Sequence, residues 1–427
     1  MKVAHVIQRY WPSIGGAERY FQELSERLVR DGHQVTVYTT DVWDLEGFWA
    51  RGKTTVPLIE EEHNGVLIRR FPVRHLPLST LAFPFLRRLV VLLSDLSIVP
   101  VGMLYPLATL APWVPGLGER LRIPEERYDL VHAACIPFDA LIHAAWQMAQ
   151  AQAVPFVMTP LVHVDEPGCR QVGKYYSMRH QIQMMRASDA VIVQTRLEGD
   201  YLAGRGVPQE RIIQIGMGVN PDELAGGDGR QFRQKHGIES PIVFCIGTAA
   251  YDKGTRHLVE AMQRLWREGH QAVLVLAGQI MDHFQSYFDA LPREDRRRCR
   301  LLGVIGEEEK KGLLAAGDAF AMPSRTDSFG IVFLEAWTYG KPVIGAQAGG
   351  PQEIIEHGGD GLLVPFGDTE ALAREIARLL NDRDLAHRLG RVGRRKMLER
   401  YTWDRVYARI AGLYDELITR RRDGRPS

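Results

Sequence analysis

The sequence predicts an α/β protein of two Rossmann-like, doubly wound parallel-sheet domains facing a cleft. Three observations lead there. At 427 residues the chain is longer than one hydrophobic core usually serves. Short apolar runs alternate with amphipathic stretches along its length, the pattern of parallel sheets covered on both faces. A stretch dense in glycine and acid, Gly216 to Gly229, separates two such series.

The first series opens with "KVAHVIQ", a strand, then "GGAERYFQELSERLVRDG", then "QVTVYTT". In the middle piece Ala17, Tyr20, Phe21, Leu24 and Leu28 recur at helical spacing, and Gly32 ends the helix. The unit repeats as "DLVHAAC", "DALIHAAWQMAQAQ" and "PFVMTP", and "DAVIVQT" follows. The second series runs "PIVFCIGT", "RHLVEAMQRLWREG", "QAVLVLAG", "DAFAMPS", "PVIGAQ" and "TEALAREIARLLND". The tail "WDRVYARIAGLYDELITRR" is an amphipathic helix. The expected division is residues 1–218, residues 219–400, and a C-terminal helix 401–427 returning to the first domain. Ligands of such sheets bind at the carboxyl ends of the strands.

With 53 basic and 52 acidic side chains the net charge is +1, so no basic surface for nucleic acid is expected. Cys135, Cys169, Cys245 and Cys299 are scattered, which excludes a Cys-x-x-Cys metal site and suits a reducing cytoplasm. The first apolar run is too short for a secretion signal, since charge returns at Arg9. Leu96 to Gly118 carries no charge and is long enough to span a bilayer, but four prolines interrupt it. An interior proline costs a helix about 3 kcal/mol, so the span is the last of three readings. Apolar loops and short helices packed inside the first domain come first. A peripheral contact with the inner membrane face comes second, because Arg87 and Arg88 precede the stretch.

Five places carry candidate chemistry. Gly15-Gly16-Ala17-Glu18 joins the first strand to the first helix, where backbone N–H groups suit a phosphate. Alone it reads as a tight turn, with Glu18 complementing the helix dipole. Lys253-Gly254 follows the strand "VFCIG" and can neutralise a diphosphate, or is an exposed loop lysine. In "SRTDSFGIVFLEAWTYGKPVIG", a helix over Phe329–Tyr339 would aim N–H groups near Ser328, Phe329 and Gly330 at an anion. Asp327 and Glu335 lie eight positions apart, too far to grip one atom from one helix. They would touch two parts of an elongated ligand; the plainer reading makes Asp327 a helix cap and Glu335 a satisfied buried acid. Gly349-Gly350-Pro351 reads as a strand-to-helix turn, and His163 sits at a strand end.

Taken in order, Gly15-Gly16-Ala17-Glu18, "GTAAYDKG" and "MPSRTDSFGIVFLEAWTYGKPVIGAQAGGPQEII" closely resemble the retaining glycosyltransferases of family 4, of the GT-B fold. The resemblance covers Met1 to about Leu417. It implies sugar transfer from a nucleoside diphosphate sugar, most often UDP- or GDP-linked, with no metal or other cofactor. The acceptor would be a glycan, a lipid-linked sugar or a small molecule. By this resemblance Glu335 holds the ribose and Asp327 the transferred sugar. Ser328, Phe329, Gly330, Ile331 and Val332 serve the diphosphate and sugar. Gly247, Thr248 and Lys253 border the diphosphate, and Gly15 and Gly16 shape the facing wall. Asp327, Lys253 and His163 are the catalytic candidates.

Three departures from the family pattern stand out. Thr248 occupies a position commonly held by arginine, with Arg256 and Arg325 as substitutes. Asp327 replaces a longer glutamate. Leu161 stands where a histidine is frequent, with His163 two residues on. They motivate an alternative, a weakly catalytic binding or regulatory subunit. A nicotinamide dehydrogenase is disfavoured because no Gly-x-Gly-x-x-Gly follows the first strand.

Overall fold

A computed structural model describes residues 1–13, 15–122, 126–164 and 173–424. The chain divides into two units. The first runs from the N-terminus to Gly216 and takes back the chain from Tyr407; the second is Met217–Val406.

The first unit holds an eight-stranded sheet: β1 (Lys2–Val6), β2 (Gln34–Thr40), β3 (Glu60–His63), β4 (Val66–Phe71), β5 (Leu130–Ala134), β6 (Phe156–Thr159), β7 (Ala190–Val193) and β8 (Ile212–Gln214). Their order is β3-β4-β2-β1-β5-β6-β7-β8. Every pairing is parallel except β3 with β4. That hairpin was not expected from the sequence, yet its turn is an Asn-Gly pair. Asn64 and Gly65 take φ of 49° and 77°, the left-handed values a two-residue hairpin needs.

The second unit holds six parallel strands: β9 (Ile242–Ile246), β10 (Val273–Ala277), β11 (Cys299–Gly303), β12 (Ala319–Met322), β13 (Val343–Ala346) and β14 (Leu362–Val364). Their order is β11-β10-β9-β12-β13-β14. Central strands such as "LVHAA" and "AFAM" are buried throughout, as helices on both faces require. Strand order reverses beside β1 in one sheet and beside β9 in the other. Such switch points open a crevice at the strands' carboxyl ends. The Gly15 turn follows β1, and the Gly247–Gly254 loop follows β9.

The charge-free stretch 96–118 folds as the first reading expects. It forms one turn of 3-10 helix, Val101–Met103, a short helix Leu104–Ala108, and the start of the helix Pro115–Arg122. Leu104, Tyr105, Ala108, Ala111 and Leu117 are buried. Among the described residues no helix is long and apolar enough to cross a membrane.

The last helix is Trp403–Arg422. Tyr414 carries its hydroxyl into the first unit between two fully buried histidines, His5 of β1 and His132 of β5. His5 Nδ1 lies 2.7 Å from Ser25 Oγ, and His132 Nε2 lies 2.7 Å from Thr159 Oγ1. The chain of polar groups is thus satisfied end to end, the condition for burying it. Burial lowers the His5 pKa to about 3 and holds that of His132 well below the usual range, so both rings are neutral.

Candidate active site

In the second unit, three loops meet at the carboxyl ends of β9, β12 and β13. Gly254 (φ 71°) sits so close to the β12 loop that a Cβ there would lie 2.2 Å from the Pro323 carbonyl oxygen. The Arg325 N–H donates to the Asp252 carbonyl at 3.0 Å, and Thr326 Oγ1 donates to Asp252 Oδ2 at 2.8 Å. On the other side Gly350 N–H donates to the Asp327 carbonyl at 2.7 Å. A Cβ on Gly349 (φ 57°) would lie 2.6 Å from that oxygen. Gly349-Gly350 therefore acts as a clamp on the Asp327 loop, which refines its reading as a simple turn.

Between these clamps Asp327 and Lys253 pair: Lys253 Nζ lies 3.1 Å from Asp327 Oδ2, both side chains largely covered. The angle makes no hydrogen bond, leaving Oδ2 with acceptor capacity. The following helix is Ile331–Thr338, shorter than the expected Phe329–Tyr339. Its first flanking residue is Gly330 at φ 92°, where a Cβ would also strike the Phe333 ring at 2.7 Å. Asp327 makes no cap hydrogen bond to this helix, so the capping role is overturned. Ser328 and Phe329 lie in the loop ahead of it, and Phe329 is buried edge-on against Tyr401. The backbone N–H groups of Ile331 and Val332 belong to the first turn, where no intrahelical acceptor exists.

Glu335 stands on the second turn. It is half-buried at 14% side-chain exposure, not sealed in the core, and Lys310 Nζ lies 3.2 Å from its Oε1. Lys310 also pairs with Glu307 at 3.0 Å. Burial disfavours the Lys310 ammonium, but the Glu335 and Glu307 charges outweigh it and raise its pKa. Lys310 comes from the helix Glu307–Ala316, and nothing in its acidic sequence neighbourhood singled it out.

Gly247 closes β9 at φ 153°, its N–H donating to the Ala277 carbonyl at 2.8 Å. Thr248 follows, half-buried. Neither proposed substitute arginine is idle. Arg256 pairs with Glu260 at 2.8 Å on its own helix and lies over the Tyr287 ring. Arg325 lies over the rings of Phe366 and Tyr251, at 4.9 and 5.6 Å.

The remaining candidates belong to the first unit. Gly15 flanks the helix Gly16–Arg30, and a Cβ there would lie 2.2 Å from Glu18 Oε2. Glycine lets Glu18 fold back into a buried pair with Arg9, whose Nε donates at 2.8 Å, while Gln8 Nε2 donates at 3.1 Å. Glu18 thus has a charged partner that the dipole reading did not foresee. A Cβ on Gly16 would meet open space. His163 is half-buried, its ring T-shaped against Tyr176 with centroids 5.3 Å apart. Among the described residues no cluster of three or more His, Cys, Asp or Glu could hold a metal ion.

Two family models match, the glycosyl transferase 4-like domain over residues 15–218 and the glycosyl transferases group 1 over residues 228–396. The chain is a family 4 glycosyltransferase. The Asp327–Glu335 segment and Lys253 fall inside the group 1 match, and Gly15, Gly16 and His163 inside the other. This glycosyltransferase is 26% identical to an uncharacterised glycosyltransferase of Methanocaldococcus jannaschii, over 97% of this chain and 98% of that one. It is 25% identical to the alpha-D-kanosaminyltransferase of Streptomyces kanamyceticus, over 71% and 81% of the two chains. Among solved structures it resembles Anabaena HepE with UDP and glucose (TM-score 0.72, 21% identity, 98% and 100% coverage). It also resembles sucrose-phosphate synthase from Thermosynechococcus elongatus (TM-score 0.73, 22% identity, 98% and 100% coverage). Both likenesses show the GT-B fold.

Two residues that order this candidate site escaped sequence reasoning. Asp252 pins the Asp327 loop, and Lys310 holds Glu335. Asp252 could have been found, since it adjoins Lys253 in the motif; Lys310 is contributed from 25 residues away and could not.

Proposed function

We propose that this glycosyltransferase is a retaining, metal-independent enzyme that moves a sugar from a UDP- or GDP-sugar to a glycan or lipid-linked acceptor. The observation that carries the reading is the sequence of three polar features along one short segment. Asp327 and Lys253 form a pair, a helix start follows, and Glu335 pairs with Lys310 one turn further on. A nucleoside diphosphate sugar presents sugar hydroxyls, then a diphosphate, then ribose hydroxyls, in that order.

In this reading the donor's diphosphate draws on the Lys253 ammonium and the N–H groups of Ile331 and Val332. Leaving diphosphate gains negative charge, and fixed cations and N–H dipoles stabilise it at no cost in reorganisation. Lys253 supplies charge that a metal would otherwise bring. Asp327 accepts from the sugar hydroxyls through the oxygen that now faces Lys253. The departing phosphate oxygen takes the acceptor's proton on the same face, so the configuration is retained without a separate base. The likeness to relatives named for GDP-mannose and to HepE with UDP is what supports a nucleotide donor.

A weakly catalytic subunit is the second reading. It is favoured by Thr248 at a position where a cation is expected, while Arg256 pairs with Glu260 and Arg325 lies over the Phe366 and Tyr251 rings. Thermal stabilisation by UDP-, GDP- and ADP-sugars, followed by donor hydrolysis, separates the two. Stabilisation with turnover supports the enzyme, stabilisation without turnover the subunit, and the absence of both defeats the donor reading.

A further inference from the structure

We propose that Trp11 and Trp43 form an aromatic platform on the first unit that binds a pyranose ring of a neutral glycan, and that this glycan is the acceptor. The acceptor role rests on the sugar transfer proposed above; the binding of a glycan does not. Of the chain's eight tryptophans, Trp11 and Trp43 are the two that stand exposed, at 39% and 40%. They lie on the loops that leave the carboxyl ends of β1 and β2, neighbours in the sheet. Tryptophan is highly buried on average, because its large apolar surface is unfavourable in water. Two bare indoles on touching loops therefore point to an occupant.

Neither exposure comes from a loose loop. Arg9 and Arg70, both buried, turn their guanidinium groups onto the two tryptophan carbonyls. Arg9 Nη1 donates to the Trp43 carbonyl at 3.0 Å, where Ser13 Oγ also donates at 3.1 Å. Glu18 holds Arg9 from the other end, and Glu61 holds Arg70. The Trp43 N–H donates to the Thr54 carbonyl at 3.3 Å, and Phe48 of the same loop is buried against Phe138, centroids 4.8 Å apart. Trp11 stacks on His63 of β3, centroids 4.1 Å apart and 9° from parallel. His63 covers one face of that indole, so its exposure belongs to the other face and the edge. Among the described residues no ring packs on Trp43.

Chemistry identifies the occupant. A pyranose offers a face of C–H bonds and a rim of hydroxyls. The C–H face suits the negative face of an indole ring. The rim needs acceptors beside the rings. Asp44 follows Trp43 directly, is exposed, and makes no cap hydrogen bond to the short helix after it. Glu62, also exposed, precedes His63, which backs Trp11. Every cation among the described residues of the two loops is engaged. Arg9 pairs with Glu18, Arg51 donates to the His75 and Leu76 carbonyls, and Lys53 bonds Glu46 and acts on Asp44 through space. On the adjoining strand Arg69 and Arg70 pair with Glu60 and Glu61. The groups open to a ligand are therefore ring faces and carboxylates. Phosphate, nucleic acid and anionic headgroups need a cation there, whereas a neutral sugar needs none.

An array of neutral and anionic oligosaccharides, probed with the full chain and no donor, tests the platform. One or more neutral glycans should bind, and the anionic ones should not. In solution the bound glycan should shift the indole emission. Trp11→Ala and Trp43→Ala should each weaken binding about 10-fold or more, the usual effect of removing an aromatic anchor. Trp43→Phe keeps a ring and should retain most of the affinity. Circular dichroism should be unchanged in all three, since both side chains are exposed. An array with no neutral glycan bound overturns the proposal, as does binding that both alanine variants retain. So does capture of phosphatidylglycerol vesicles, or a dimer, that the same variants abolish, since the rings would then cover lipid or a second copy. Offering the bound glycan together with the donor that stabilises the wild type tests the acceptor role, and the alanine variants should raise its KM. A glycan held by the tryptophans but never glycosylated, while a donor stabilises the chain, refutes the acceptor role alone. A glycan held with no nucleotide sugar stabilising the chain refutes sugar transfer and the acceptor role with it, and leaves the platform standing.

Discussion

Replacing Glu335 by alanine isolates the ribose contact. The fold should tolerate it, because Lys310 keeps Glu307 at 3.0 Å and no buried cation is stranded. The pair is largely covered, but Glu307 stays on the lysine, so the melting temperature without ligand should fall only modestly. Donor binding is different. A hydrogen bond to a charged group is worth about 1.5–3 kcal/mol, which is roughly a 10- to 150-fold loss in affinity. At donor equal to about 100 Kd the wild type gains about 2.7 kcal/mol of stability. A roughly 30-fold weakening leaves about 0.9 kcal/mol, about a third of the gain. Differential scanning fluorimetry across UDP- and GDP-sugars reads this directly. If the variant keeps the full ligand-induced shift of the donor that stabilises wild type, Glu335 does not touch the nucleotide and the order of contacts along the segment is wrong.

Lys253→Ala should lower kcat by about 10²–10³-fold, the usual loss of one transition-state donor, with a smaller effect on UDP or GDP affinity. Asp327→Asn should reduce kcat while leaving the Kd of the free nucleoside diphosphate unchanged in calorimetry, because its contact is with the sugar; equal loss of both would place it elsewhere. Activity should survive EDTA; its abolition by chelator and rescue by a divalent cation would remove metal independence. Tyr414→Phe leaves ring nitrogens of His5 and His132 unpartnered and should destabilise the first unit by about 2–4 kcal/mol in urea unfolding. Both histidines stay neutral when folded, with pKa values depressed below the unfolded value near 6.5. Stability is thus full above that pH and is lost as pH falls below about 6.5, for His5 down to about 3, by about 1.4 kcal/mol per pH unit for each ring that stays neutral. His5→Gln should flatten that slope by one such share, and an unchanged slope would show that His5 is not buried neutral.

The sequence by itself determined the alternation of strands and helices, and with it two parallel sheets. Apolar runs such as "VIVQT" and "VLVLAG" bury on both faces only in that arrangement. It also placed Asp327 in a loop and Glu335 on a second helical turn, since both follow from chain periodicity. What it could not supply was any partner distant in sequence. Lys310 beside Glu335, Arg9 beside Glu18 and Asp252 beneath the Asp327 loop are joined by packing. The helix started two residues later than periodicity suggested because Gly330 takes a left-handed φ that ends the loop there. The sharpest difference concerns apolar surface. Composition ranked burial of the charge-free residues 96–118 ahead of a surface contact and said nothing of the helix before them, because hydrophobicity does not say which way a segment faces. Tertiary packing turned Leu104 and Tyr105 inward and left Leu81 and Phe85 of the preceding helix in water. Direction, unlike composition, is set by what the opposite face of an element finds to bury.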